Sequence, residues 1–163
     1  MKVRKTERAD AIVLLQLIRA LADYEKLSPP DEAAQARLVR DLFAEQPKVE
    51  SMLVEVDGRA VGYTFFFETY STFLANPTLF LEDLFVLQEF RGKGAGAALF
   101  RAVAAEAVRR ECGRMEWSVL DWNRIAIDFY ERFEAKRLTN WQSYRLTGPA
   151  LTQAATGRGR MDP

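Results

Sequence analysis

The sequence predicts an α/β protein, a mixed sheet with helices on its faces, and three observations predict it. Apolar strand-like runs follow one another as a meander over residues 49–87. A glycine-rich loop then leads into an Ala-rich stretch with Leu99, Val103 and Ala107 at four-residue spacing, which reads as a helix. A further apolar run at Met115–Leu120 then returns to the sheet, and a meander joined through a helix to another strand gives a mixed sheet.

The elements follow in order. Lys2–Lys5 suits a short edge strand, and Thr6 suits the cap of a helix with Glu7 and Asp10 in its first turn. Leu14, Leu17, Ile18 and Leu21 give that helix an apolar face; it ends near Tyr24-Glu25, before Ser28-Pro29-Pro30. Asp31 and Glu32 start a second helix carrying Leu38, Leu42 and Phe43, which stops before Pro47. Val49–Val56 and Val61–Tyr70 are strands joined by the hairpin signal Asp57-Gly58. Ser71–Thr78 reads as a loop broken by Asn76-Pro77, and Leu79–Leu87 as a central strand covered on both faces. Gly94–Glu111 is the expected helix, Met115–Leu120 a strand, Asn123–Phe133 a helix and Arg137–Leu146 the last strand region. The periodicity predicts one domain over residues 1–148, and the Thr-, Gln-, Ala-, Gly- and Arg-containing tail 149–163 is expected to be disordered.

Composition narrows the chemistry. The 163 residues carry 23 basic and 23 acidic side chains, so no one-signed field points to nucleic acid or a membrane surface. Histidine is absent, which removes Ser-His-Asp, Cys-His and most zinc chemistry; no metal is expected. The lone Cys112 reads as a structural thiol. Met1–Asp10 is charged throughout, unlike a secretory signal, and a soluble cytoplasmic protein is expected.

The informative junction is Leu81-Glu82-Asp83-Leu84-Phe85-Val86-Leu87, followed by Arg91-Gly92-Lys93-Gly94-Ala95-Gly96 and the Ala-rich helix. A strand end, a glycine loop and a helix N-terminus leave backbone N–H groups free for a phosphate or pyrophosphate. A tight turn is the alternative reading of the glycines. An extended ligand could pair with free backbone groups at Phe85 and Val86, and Arg91 could add positive charge. Glu82 and Asp83 are adjacent carboxylates in an apolar strand and should point to opposite faces, so at least one needs a cation, a donor or a water-filled cleft.

These residues resemble the acetyl-CoA loop of the GNAT superfamily of N-acetyltransferases, Arg/Gln-x-x-Gly-x-Gly/Ala. A second block agrees, Asp121-Trp122-Asn123 with Asp128-Phe129-Tyr130. Tyr24-Glu25-Lys26-Leu27-Ser28, Leu81-Glu82-Asp83 and Val119-Leu120-Asp121-Trp122-Asn123 extend the likeness to the diamine (spermidine/spermine) and thialysine acetyltransferases. The resemblance implies a mostly antiparallel mixed sheet, split at an acetyl-CoA cleft between the strands at 79–87 and 114–120. It implies pantetheine contacts at Leu84, Phe85 and Val86. Arg91, Gly92, Lys93, Gly94, Ala95, Gly96 and Ala97 would meet the pyrophosphate, and Asn123, Arg124, Ile125 and Ala126 would flank the same cofactor.

The implied reaction is direct attack of a primary amine on the thioester, which requires no enzyme nucleophile. The resemblance makes Tyr130 the acid that protonates the departing thiolate; a phenol with an ordinary pKa near 10 can donate at neutral pH. A packed aromatic is the other reading of Tyr130. Glu82 would face the amine, as base or anchor, and Tyr24, Glu25, Asp83 and Gln142 would complete the acceptor site. The expected acceptor is a small cationic amine: a diamine, a polyamine, or a lysine- or thialysine-like amino acid. A protein N-acetyltransferase and a non-catalytic acyl-CoA-binding module are the rival readings. A homodimer is implied by the resemblance, with Phe65 to Phe67 as apolar surface or as core. Three departures stand out: Glu134 where the pattern has glycine, Gln142 where the diamine enzymes have glutamate, and Tyr144 where they have tryptophan.

Overall fold

The computed structural model describes residues 1–157, which form two compact units, Met1–Ser118 and a second beginning at Val119. The first contains β1 (Lys2–Lys5), α1 (Ala11–Glu25), α2 (Glu32–Leu42), β2 (Glu50–Val56), β3 (Arg59–Ser71), β4 (Asn76–Val86), α3 (Ala95–Arg109) and β5 (Arg114–Trp117). The five strands make one sheet in sequence order; every neighbouring pair is antiparallel except β4 and β5, which are parallel. The expected mixed, mostly antiparallel sheet is therefore present.

The chain enters α1 later than the sequence predicts. Thr6 is not a helix cap: its amide donates to Ser51 O (3.0 Å) and its hydroxyl to Ser51 Oγ (2.9 Å), which prolongs the pairing of β1 with β2. A short 3₁₀ turn at Arg8–Asp10 follows, with the Glu7 amide donating to Asp10 Oδ2 at 2.7 Å. The start of α2 is as expected, Asp31 Oδ1 accepting from the Ala34 amide at 2.7 Å. Asp57 and Gly58 both take positive φ, 51° and 79°, as a two-residue hairpin requires.

Half of the expected loop at Ser71–Thr78 is strand. Only residues 72–75 turn, and Pro77 pairs opposite Tyr70 inside β4. Pro77 O accepts from the Gly113 amide (2.8 Å), so the proline nitrogen also faces the β5 side, where the ladder has not yet begun, and its missing N–H costs no bond to β3. β5 ends at Trp117, short of the expected Leu120.

Alternation along the strands builds two cores. Leu14, Leu17 and Leu42 of the first two helices close over Leu53, Tyr63, Phe65 and Phe85. The opposite face carries α3, whose Leu99 and Val103 are fully buried. Each such buried side chain contributes about 1.5–3 kcal/mol. Phe65 and Phe66 are thus core residues on opposite faces, and Phe67 packs beside Phe80 with ring centroids 5.4 Å apart. Arg110 fastens the end of α3: it pairs with Glu50, Glu68 and Glu106 and lies over the Phe66 ring.

The second unit contains α4 (Arg124–Glu131) and α5 (Gly148–Ala155). Its described residues contain no strand, so the expected strand at Arg137–Leu146 is absent. That segment has no ladder partner, and Trp141 and Tyr144 stand 73% and 88% exposed. A helix occupies Gly148–Ala155 where no regular structure is expected; Pro149 in its first turn suits a helix start, since no amide is required there. The rest of the expected tail, residues 158–163, lies outside the described residues. Among the described residues no helix is long and apolar enough to cross a membrane.

Candidate active site

The site is built around the end of β4. Its parallel pairing with β5 stops at Leu81 opposite Trp117, whereas β4 continues to Val86. Among the described residues, 82–86 therefore have β3 on one side and no strand on the other. The Leu87 amide donates to Val61 O at 2.9 Å, which fixes the parity of the ladder. Phe85 exchanges its backbone bonds with Tyr63, and Leu84 and Val86 direct theirs to the strand-free side. The expectation of free backbone groups at Phe85 is corrected accordingly: its groups belong to β3 and its ring to the core. Gly62 permits this approach, since a Cβ there would lie 2.5 Å from Phe85 O.

Val86 O accepts a hydrogen bond from Arg91 Nε at 2.8 Å. The Arg91 guanidinium carbon also sits 4.4 Å from the Tyr24 ring centroid and 5.5 Å from that of Phe85. Beyond Arg91 the loop needs its glycines, with φ of 73° at Gly92 and 88° at Gly94, and the space a Cβ would take at each is open. The first helical bond of α3 runs from the Ala98 amide to Gly94 O, so the amides of Ala95, Gly96 and Ala97 have no helical acceptor. Open space before three such amides at a helix N-terminus fits a pyrophosphate. Lys93 turns its Nζ to Glu89 O, 3.0 Å away.

The carboxylates lie farther back along the same strand, with Asp83 on the Tyr63 side. A bulge interrupts the register: Phe65 pairs with Asp83 and Phe66 with Leu81, leaving Glu82 as the extra residue. Strict alternation is therefore interrupted between Leu81 and Asp83. Glu82 is exposed, whereas Asp83 is half-buried beside Tyr63, whose hydroxyl donates to Asp83 Oδ2 at 3.2 Å. Burial, then the neighbouring charge of Glu82, push the Asp83 carboxyl up to about 6; the Tyr63 bond opposes this and Glu25 adds to it. Glu25, in the last turn of α1, is itself raised by burial. The fold thus gathers Tyr24, Glu25, Glu82 and Asp83 with Arg91 at one end of β4. Tyr63 escapes sequence reasoning, because no local pattern marks a tyrosine in an apolar strand as a carboxylate's donor.

The second unit carries the remaining candidates. Asn123 Oδ1 caps α4 by accepting from the Ala126 amide at 3.2 Å, so these two expected cofactor contacts are engaged with each other. Arg124 pairs with Asp128 (3.2 Å) on the exposed face, beside the exposed Ile125. Tyr130 is half-buried against Phe129, ring centroids 5.2 Å apart. Glu134 takes φ of 60°, the left-handed backbone that the glycine of the family pattern would adopt freely. Gln142 accepts from the Tyr144 hydroxyl at 2.9 Å in the segment without a strand.

Comparison with known proteins gives the chain a family. Residues 15–134 match the acetyltransferase (GNAT) family. The chain is 33% identical over 164 residues to the thialysine N-epsilon-acetyltransferase of Sus scrofa, covering 94% of this chain and 96% of that one. It is 42% identical over 113 residues to an L-ornithine N5-acetyltransferase of Arabidopsis thaliana, covering 68% of this chain and 50% of that protein. Among solved structures, an integron cassette protein from the mobile metagenome of V. cholerae shares the fold, with a TM-score of 0.80 at 22% identity over 94% of this chain and 96% of that one.

Proposed function

The chain belongs to the GNAT family of acetyltransferases, and from that premise we propose that it moves the acetyl group of acetyl-CoA to the terminal primary amine of a small cationic acceptor. A diamino acid of the ornithine, lysine or thialysine kind is the first choice, and a diamine or polyamine the second. The relatives named for thialysine and ornithine support that order, as does Gln142, which supplies no counter-charge for a further ammonium.

One observation carries the acceptor class. Glu25, Glu82 and Asp83 lie together at the end of β4, and among the described residues none of them has an ion-pair partner. Asp83, raised by burial and by the neighbouring carboxylates, is relieved by a cation placed beside it. In this reading the acceptor's ammonium is drawn to the trio and passes a proton to Glu82, directly or through water. The neutral amine then attacks the thioester carbonyl: a C–N bond forms, the C–S bond breaks, Tyr130 gives its proton to the departing thiolate, and the second proton shed by the nitrogen restores the Tyr130 phenol. Leu84 and Val86 would pair with the pantetheine amides, and the Gly92–Ala97 backbone would hold the pyrophosphate. The resemblance adds a homodimer, for which the exposed Leu138, Trp141, Tyr144 and Leu146 offer apolar surface; sedimentation as a monomer would remove that part.

The test is CoA release from acetyl-CoA with ornithine, lysine, thialysine, putrescine, spermidine and neutral primary amines. Turnover highest on the diamino acids is expected. Activity confined to neutral or anionic amines would overturn the acceptor class.

A further inference from the structure

The family likeness places Tyr24 with the acceptor, yet its ring is seated under the arginine that opens the glycine loop. We propose that Tyr24 is a positioning residue for the acetyl-CoA pyrophosphate, acting through the Arg91 guanidinium, so that the last turn of α1 is part of the cofactor site. The inference rests on the acetyl-CoA reading of that loop.

Four features carry it. Arg91 is clamped rather than loose: Nε donates to Val86 O at 2.8 Å, and the guanidinium carbon lies 4.4 Å from the Tyr24 centroid. Its clamp consumes no charge, since among the described residues no carboxylate forms an ion pair with Arg91, although Glu89 lies two residues away and pairs with Arg59 instead. A cation held by ring faces and a carbonyl keeps its whole charge for an incoming anion, whereas one paired with a carboxylate does not. Nε–H is one of five guanidinium donors, so the planar fork that suits phosphate remains available. Finally, Tyr24 is itself fixed. It packs against the core cluster of Leu14, Leu17, Tyr63 and Phe85, and α1 closes immediately after it with Lys26 left-handed and the Leu27 amide bonded to Ala22 O at 2.9 Å.

Calorimetric titration of the full chain with CoA tests this without any acceptor. Tyr24→Leu removes the ring face and should raise the Kd for CoA about 5- to 10-fold, while Tyr24→Phe stays within about two-fold of wild type. Arg91→Lys keeps the charge but loses the planar stack, and should match Tyr24→Leu without disturbing α1. In an Arg91→Ala background, Tyr24→Leu should add less than about two-fold. S-acetylpantetheine, which lacks the pyrophosphate, should bind wild type and Tyr24→Leu alike. Equal losses in both backgrounds, a matching loss for acetylpantetheine, or a Tyr24→Leu effect confined to the acceptor's KM would overturn the inference. Wild-type protein that binds no CoA would overturn the acetyl-CoA reading along with it.

Discussion

The two ends of the strand-free side of β4 make opposite electrostatic demands by different means. At the C-terminal end, the loop from Arg91 to Ala97 presents backbone amides and one clamped cation, and its chemistry is set by where glycine lets the chain go. At the bulge, Glu25, Glu82 and Asp83 present side chains, and the chemistry of Asp83 is set by burial and by the charges beside it. An anion site made of backbone is insensitive to pH and sensitive to any Cβ. A cation site made of carboxylates tolerates small changes of shape and responds to pH.

The largest effect should come from a residue in neither region. If both ends only bind, Tyr130→Phe lowers kcat by one to three orders of magnitude and leaves both KM values within about two-fold. A KM change with kcat intact would return Tyr130 to core packing against Phe129. Next, Gly94→Val should raise the KM for acetyl-CoA about ten-fold or more and leave the acceptor's KM unchanged. A Cβ there meets no protein atom, so the loss beyond about 1–2 kcal/mol of backbone strain reports on the bound anion itself.

The acidic end breaks by titration. The Asp83 carboxyl, ordinarily near 3.8, sits at about 6 in the folded chain, so folding takes up a proton there. Its contribution to stability is whole below about pH 3.8 and is lost as pH rises through about 6. Between pH 4 and pH 7, Asp83→Asn should therefore gain about 2 to 3 kcal/mol relative to wild type in urea unfolding. A difference that stays flat over this range would show that Asp83 is not strained by its neighbours. The smallest effect tests the glycine argument where no ligand is expected. Glu134 has φ of 60°, so Glu134→Gly should stabilise the chain by about 1 kcal/mol and change neither KM.

The same contrast explains what the sequence made legible. Glycine at 92 and 94, Asp31 as a cap and the Asp57-Gly58 hairpin are local rules of backbone geometry, and each stands where it is expected. The bulge at Glu82, the Tyr63–Asp83 bond and the stack of Arg91 on Tyr24 join residues from separate elements, so no spacing in the chain announces them. Arg137–Leu146 fails as a strand for the converse reason. Its composition suits a ladder, but a ladder needs a neighbour, and composition says nothing about whether one is supplied.

The early end of the β4–β5 pairing has a consequence for the protein's life without substrate. A strand edge whose amides and carbonyls have no strand partner is a template for any extended chain, including another molecule caught during folding. A cosubstrate whose pantetheine arm pairs with Leu84 and Val86 would complete the sheet as a strand of its own. Acetyl-CoA at a hundred times its Kd would then add about 2.7 kcal/mol to folding. Without it the sheet would stay unfinished at that edge, and the protein's solubility would then follow its cosubstrate supply.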